Sequence, residues 1–444
     1  MSSTNDVLPD SWIRLSLGEV VDYGRTLKAE PYELADDTWV LELEDVQKDT
    51  GRVLQRLTYL QRQSKSTKNR FFAGDVLYGK LRPYLNKVVY ADSPGVCTTE
   101  IVPIRPTEAV DGRYLLHWLR HPQFLSYVTE VSHGVNMPRL GTDAGKAAPF
   151  VLAPKFEQRR IADKLDTVLA RVEAVSDRLA RVVPLLKRFR QSVLKAATSG
   201  SLTAEWRMQQ SGIPLWRHIS LVDEAGDFGY GSAAKSSKDG DVPVLRMGNI
   251  QSGELDWTDL VFTSDQDEIA KYELHEGDVL FNRTNSPELV GKSAVFRGGR
   301  KAIFAGYLIR VRCGEQLLPD FLNYNLCSPA GREYCWRVKS DGVSQSNINA
   351  SKLRAFEFEL PGIAEQAEIV RRVELLFAYA DRLEARLQAA QTATERLTPS
   401  LLTKAFRGEL VPQDPNDEPA SELLRRLKAG ATPGASKHGR KKAG

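Results

Sequence analysis

Apolar positions along this chain gather into two long stretches with helical spacing, each preceded by a region of short, alternating apolar runs. In the first stretch they stand at Ile161, Leu165, Val168, Val172, Val175, Leu179, Val182, Leu186, Phe189 and Val193. Steps of four and three alternate without a break, which is the a/d seam of a coiled coil. The second stretch keeps the phase at Ile369, Val373, Leu376, Ala380, Leu383, Leu387, Ala390, Thr394, Leu397 and Leu401, thinned by Ala390 and Thr394 in its later half. A helix of about 40 residues would be roughly 60 Å long at 1.5 Å per residue. Alone it would leave its apolar stripe in water, and the economical partner is the other copy. Pro184 removes one backbone hydrogen bond and crowds the preceding turn, so a kink or break is expected there. Pro154 and Pro361 stand ahead of the two helices. Gly200 and Gly408 close them with Leu202 and Leu410 behind, the pattern of a left-handed cap with an apolar clasp.

The two stretches are copies. Residues 157–202 and 365–410 match at a constant offset of 208 with no gap. Glu157-Gln158-x-x-Ile161 returns as Glu365-Gln366-x-x-Ile369, and Ser192, Leu194, Ala197, Gly200 and Leu202 return as Ser400, Leu402, Ala405, Gly408 and Leu410. The intervening regions repeat less faithfully. Trp12-x-x-x-Ser16-Leu17 answers Trp216-x-x-x-Ser220-Leu221, and Gly74-Asp75-Val76-Leu77-Tyr78 answers Gly277-Asp278-Val279-Leu280-Phe281. His133-Gly134-Val135-Asn136 answers Asp341-Gly342-Val343-Ser344. Each region therefore reads as one module of about 150 residues mixing short strands with a few helices. Strands are predicted at Val88–Tyr90, Ile101–Ile104 and Leu308–Arg312, helices at Tyr114–Tyr127 and Asp320–Val338, and a turn at each Gly-Asp. The competing reading, two ordinary core helices of an α/β protein, fits the length of the seam and the clean offset less well.

Composition excludes more than it selects. The 444 residues are 42% apolar and 27% charged, with a net charge of +4 that permits nucleic-acid binding without demanding it. No apolar run approaches a membrane span, and the first residues carry neither a charged nor an apolar leader, so a cytoplasmic location is expected. Cys97, Cys313, Cys327 and Cys335 form no C-x-x-C pair, and reduced thiols are expected. Nothing catalytic stands out. An adenine methyltransferase needs an Asn/Asp-Pro-Pro-aromatic loop, and no Pro-Pro dipeptide occurs. Gly141–Ala147 and Gly291-Lys292-Ser293 miss the phosphate-cradling spacing of a motor. His117 and His121 lie four apart without a third ligand, so no metal site is assigned.

The twin Pro…Glu-Gln-x-x-Ile entries, the twin Ser-x-Leu-x-x-Ala-x-x-Gly-x-Leu ends, the segment Gly277–Ser286 and the segment Ser340–Ile348 together resemble the specificity subunit of Type I restriction–modification systems, over residues ~8–427. The resemblance implies an α+β chain with internal pseudo-twofold symmetry. Two similar mixed α/β target-recognition domains are joined by two long helices that form an intramolecular antiparallel coiled coil. The spans are 1–153 for the first domain, 154–207 for the first spacer helix, 208–360 for the second domain, 361–410 for the second spacer helix, and 411–444 for a short helix and basic tail. Each domain would read half of a bipartite, asymmetric target in double-stranded DNA. The paired helices would set the gap and dock two methyltransferase subunits, with motor-nuclease subunits joining. This chain would carry no cofactor; S-adenosylmethionine, ATP and Mg would belong to its partners.

Candidate reading residues follow from the chemistry of base edges. Asn282, Arg283, Thr284, Asn285 and Ser286 place a fork donor, amides and hydroxyls in one segment, and Gln345 and Asn347 make a second polar loop. Arg suits guanine and Asn adenine in the major groove; a structural turn with a solvated Arg is the alternative. In the first module the counterparts are Lys80, Arg82, Tyr84, Asn136 and Arg139, while Lys65, Lys68, Asn69 and Arg70 form a basic run suited to phosphates. The spacer and partner-docking set comprises Glu157, Gln158, Ile161, Leu165, Val172, Leu179 and Leu186, with Glu365, Gln366, Ile369, Leu376, Leu383 and Leu387. A protein-docking scaffold without a DNA role, and a single-chain methyltransferase-nuclease, are the competing functions. The second is opposed by the two missing motifs. Lys437, Arg440, Lys441 and Lys442 form a terminal basic tag.

Overall fold

Two strands bring the ends of each module together before its long helix begins. Ile13–Ser16 pairs antiparallel with Pro149–Leu152, and Arg217–Ser220 pairs in the same way with Glu357–Leu360. The computed structural model describes residues 8–430, so the terminal basic tag lies outside the described residues. The chain forms two compact units, one running to Leu179 and resuming at Ala390, the other spanning Ala180–Ala389.

In the first unit, Val76–Gly79 lies between Val88–Tyr90 and Ile101–Ile104, and Trp39–Leu41 runs parallel to Gly95–Cys97 inside a five-stranded sheet. The second unit repeats this plan. Val279–Asn282 lies between Ser293–Val295 and Leu308–Cys313, and Val242–Leu245 runs parallel to Ile303–Phe304. The twin Gly-Asp motifs explain how each central strand starts. Gly74 and Gly277 adopt φ of 91° and 89°, a region that costs glycine nothing. The buried Asp75 and Asp278 then accept a turn N–H from Phe72 or His275 and an Arg Nε from the neighbouring chain, Arg105 just past Ile101–Ile104 at 3.1 Å and Arg312 within Leu308–Cys313 at 3.0 Å.

Three expectations change. The two module helices are each a pair, Gly112–Leu119 with Pro122–Val131 and Pro319–Cys327 with Pro329–Val338. Proline cannot supply the N–H that would continue the first of each pair, but it fits the first turn of the next. The basic run is largely withdrawn from phosphate contact, because Lys68–Phe71 is a sheet strand, and Lys65 alone of the run is exposed outside it. In the strand Lys68 is buried against Glu42 at 2.6 Å, Asn69 is buried, and Arg70 is paired with Glu33 at 3.1 Å. Pro184 does not break its helix, which runs continuously from Lys155 to Thr198. Ala180, whose carbonyl loses its intrahelical partner, is exposed, so that carbonyl is not buried without a partner. Pro399 likewise sits inside the second long helix, Ile363–Ala405.

The long helices are antiparallel, as contacts inside each unit show. In the first unit Ile161 and Leu165, near the start of one helix, share a core with Leu402, Ala405 and Phe406 around the end of the other. In the second unit Val193, Leu194 and Ala197 pack with Ile369 and Val373. Leu186, Ala380, Leu387 and Thr394 are also buried, whereas Val172, Leu179, Leu376 and Leu383 are only half-buried. Val175 and Leu397, both on the expected seam, are 44% and 45% exposed. A straight helix turns 3.6 residues per turn and drifts off a 3.5-residue repeat, so seam positions rotate out of contact.

The Glu-Gln pair at each helix start faces its own module and is not free to dock a partner. The Gln158 amide accepts from the Asp111 N–H at 2.8 Å and donates to the Ala109 and Ala153 carbonyls at 2.9 and 2.8 Å. Gln366 makes the same three bonds, to Leu318 N–H and the Gln316 and Pro361 carbonyls, each at 2.8 Å. The glutamates hold the twin tryptophans: Trp12 Nε1 donates to Glu157 at 2.9 Å and Trp216 Nε1 to Glu365 at 3.0 Å.

The two clamps hold their carboxyls in opposite electrostatic balance. Burial pushes the Glu157 carboxyl above the usual carboxylate range, with bonds from Trp12 and Gln413 only partly offsetting it. Burial also acts on Glu365, but bonds from Arg207, Thr203 and Trp216 outweigh it and hold that carboxyl low. The signs are opposite. Ionised Glu157 is disfavoured by the fold, so its clamp weakens as pH rises from the usual carboxylate range through its raised value. Glu365 supports its unit at neutral pH, and that support is lost as pH falls through its lowered value. Glu157→Gln is expected to raise stability slightly at pH 7, and Glu365→Gln to lower it by about 2 kcal/mol, the scale of a charged hydrogen bond. The difference should shrink on acidification into the carboxylate range. Urea midpoints for both variants at neutral and acidic pH check this.

Candidate nucleic-acid interface

In each module the segment after the central strand meets a later loop, and the two together form one patch. In the first module Leu81 bridges to Arg139, the Arg82 N–H donates to the Pro138 carbonyl at 2.7 Å, and the Leu140 N–H donates to the Lys80 carbonyl at 3.0 Å. His133 bridges to Arg139 and closes the intervening residues into a hairpin. In the second module Thr284–Asn285 pairs with Ser346–Asn347, which pairs in turn with Ser340–Asp341. Candidates about 60 residues apart in sequence are thus neighbours in both modules.

Side chains divide by what they can offer. Arg82, Tyr84 and Asn136 are exposed, and Lys80 is half-buried. Arg82 holds a left-handed φ of 49°, which costs a side-chain-bearing residue and marks a backbone the fold imposes. Arg139 is exposed but ion-paired with Glu100 at 3.0 Å. With Lys80 and Lys28 it lines a cleft of about 360 Å³, which Tyr23, Asn69 and Thr142 also line. Lys28 Nζ donates to Asn69 Oδ1 at 2.7 Å, so the buried amide fixes where that cation stands.

In the second module the Arg283 guanidinium lies 4.7 Å from the centre of the Tyr230 ring, and its Nη1 donates to the Gly306 carbonyl at 3.4 Å. Stacking holds the fork at low entropic cost while leaving donors to spare. Asn347 Nδ2 donates to Thr284 Oγ1 at 2.8 Å, and the Ser286 N–H to Asn285 Oδ1 at 2.8 Å, so these four brace the loop. Gln345 is exposed. Asn282 does not reach the surface: it ends the central strand fully buried, its Nδ2 directed at the Met247 carbonyl at 3.4 Å. Burial takes it out of the reading set. Tyr230, 45% exposed, was missed; its only sequence signal is an aromatic ending a short strand, which Arg283 could not be seen to share.

Among the described residues no cluster of His, Cys, Asp and Glu could hold a metal, and no helix is long and apolar enough to cross a membrane. The four cysteines are free, and burial raises the Cys313 and Cys335 thiols to about 12 and about 11.

Residues 9–182 and 230–390 match the family model described as the Type I restriction modification DNA specificity domain. The specificity subunit of the StySPI Type I restriction enzyme from Salmonella potsdam is 34% identical over 354 residues, 77% of this chain and 76% of that protein. The EcoKI specificity subunit from Escherichia coli K12 is 31% identical over 353 residues, 76% of each chain. Among solved structures, the HsdS subunit from Thermoanaerobacter tengcongensis superposes with a TM-score of 0.56 at 21% identity, covering 92% of this chain and 100% of that one. A chain from a structure of Type I R-M system assembly and conformational transition gives a TM-score of 0.68 at 20% identity, covering 91% and 99%.

Proposed function

Because this chain belongs to the Type I restriction–modification DNA specificity family, we propose that it is the subunit through which such a complex selects its DNA. Each module reads one half of a split, asymmetric target, and the antiparallel helices carry the two readings a set distance apart. The observation that supports this most directly is the duplicated patch. One backbone frame, a central strand followed by a segment joined to a later loop, presents Lys80, Arg82 and Asn136 in one module and Arg283, Ser286 and Gln345 in the other. A shared scaffold with unlike side chains is what reading two different half-sequences requires.

The chemistry belongs to partner subunits. Two methyltransferase subunits would use S-adenosylmethionine, and motor-nuclease subunits ATP and Mg, while this chain contributes recognition and placement. The exposed Val175, Leu375, Tyr379 and Leu397 on the long helices suit docking of such partners. Mapping methylated adenines in cells with and without the chain tests the whole reading. A set of sites sharing one split motif, lost with the chain, is the expected result, and an unchanged methylation pattern would overturn it. Arg283→Ala is expected to relax one base position in the second half-site at a cost of about 1–3 kcal/mol in discrimination. Equal weakening on every duplex would instead make Arg283 a phosphate contact.

A further inference from the structure

Two valines stand out because they are exposed where nothing in the fold uses them. Val135 and Val343 are 101% and 110% exposed, more than any other large apolar side chain described; the next, Leu215, is 89% exposed. They occupy the same place in the two modules, at the repeat offset of 208, each behind a glycine. Gly134 adopts φ of 117°, and a Cβ there would stand 3.0 Å from the Met137 carbonyl oxygen. A Cβ on Gly342 would stand 3.0 Å from the Gln345 carbonyl oxygen, and its N–H donates to that oxygen at 2.8 Å. The second loop is a tight turn closed by that bond, and the first is a hairpin closed between His133 and Arg139; each carries its valine within the bend, beside the patch that holds the reading residues.

Sameness is the informative feature. Around the apex the modules differ: Asn136 faces Ser344 in the alignment, Met137 faces Gln345, and Arg139 faces Asn347. Side chains that read bases must differ where the half-sequences differ. A side chain kept identical on such a background does something indifferent to sequence. Full exposure of a β-branched hydrophobe gains nothing in the free protein, whereas its single stiff torsion lets it enter an apolar space with little loss of freedom. In a duplex, the apolar space every sequence offers is the base stack, and short apolar wedges inserted at a base step unstack and kink it.

We infer that Val135 and Val343 are a matched pair of wedges, each entering the stack at one base step of its half-site and opening the duplex there. The inference rests on the recognition role proposed above and adds a deformation step to it. The test uses the full chain assembled with its modification partners, on target duplexes in which 2-aminopurine replaces one adenine at a time, the methylated adenines excepted. A severalfold rise in fluorescence at one step per half-site is expected. Val135→Ser should abolish the rise in the first half-site alone and weaken binding about tenfold, the worth of one buried valine. Val343→Ser should do the same in the second, and neither should change the bases preferred. Both positions are fully exposed, so thermal midpoints should not move. No rise in the unaltered complex, a rise that survives both substitutions, or a relaxed base position in either variant would overturn the wedge. So would loss of partner assembly with DNA binding intact. Absence of any sequence-selective binding by the unaltered complex would instead remove the recognition role beneath it.

Discussion

Replacing Gln366 with alanine is expected to destabilise the second unit by about 3–5 kcal/mol, among the largest effects available to a single substitution in this chain. The side chain is fully buried and satisfies one N–H and two carbonyls of the backbone, at Leu318, Gln316 and Pro361. Alanine leaves all three without partners, each at about 1–3 kcal/mol before any water enters the vacated space. Only a primary amide accepts and donates from one planar group at this reach. Gln366→Glu keeps the volume but turns an anion toward two carbonyl oxygens, and should be at least as damaging. Trp216 shares the clamp through Glu365, so its fluorescence during urea unfolding reports the change locally. Gln158→Ala should act alike in the first unit. A glutamate variant as stable as the parent would show that the amide's two donor bonds contribute nothing.

Deleting one heptad from each long helix, at matching levels, is expected to shorten the DNA gap by about three base pairs. Seven residues span about 10 Å of helix, and successive base pairs rise 3.4 Å. A seven-residue deletion keeps the a/d phase, so the helix pair reforms with the same faces together. The half-sequences should stay as they were, because the reading patches lie on the modules and not on the helices. Methylation mapping of the deletion variant reads both outcomes together. Retention of the original gap would show that something other than helix length sets it.

Much of this architecture was legible in the sequence because repetition and periodicity are local signals. The two long helices, the buried ends of their seam at Ile161, Leu165 and Val193, and the Gly-Asp turns match the sequence pattern, whereas the middle of the seam around Val175 lies exposed. What escaped depends on partners distant in sequence. Glu157 and Gln158 look like solvent-facing residues of a first helical turn, yet Trp12, 145 residues earlier, and the Asp111 N–H draw them inside. Lys68 and Asn69 look like a phosphate grip until the sheet closes over them beside Glu42 and Lys28. Asn282 looks like part of a polar loop, but it completes a strand buried on both faces, whose length no pattern in Val-Leu-Phe-Asn reveals. The candidate patch was half visible: the residues could be named, whereas which of them face outward depends on pairings such as Thr284 with Asn347.

Gln413, which completes the Glu157 clamp, lies beyond the second long helix, as does Asp417, which pairs with Arg160 at 2.6 Å. Phe406 packs among Tyr114, Trp118 and His121, and the Ala420 N–H bonds to the Ser11 carbonyl. The second unit, by contrast, is one unbroken stretch of chain. During synthesis the order of completion is therefore the reverse of the order of emergence. The module that leaves the ribosome first has an open core until Leu402, Ala405, Phe406 and Ala420 have followed it out, while the later module can close as soon as its own stretch is out.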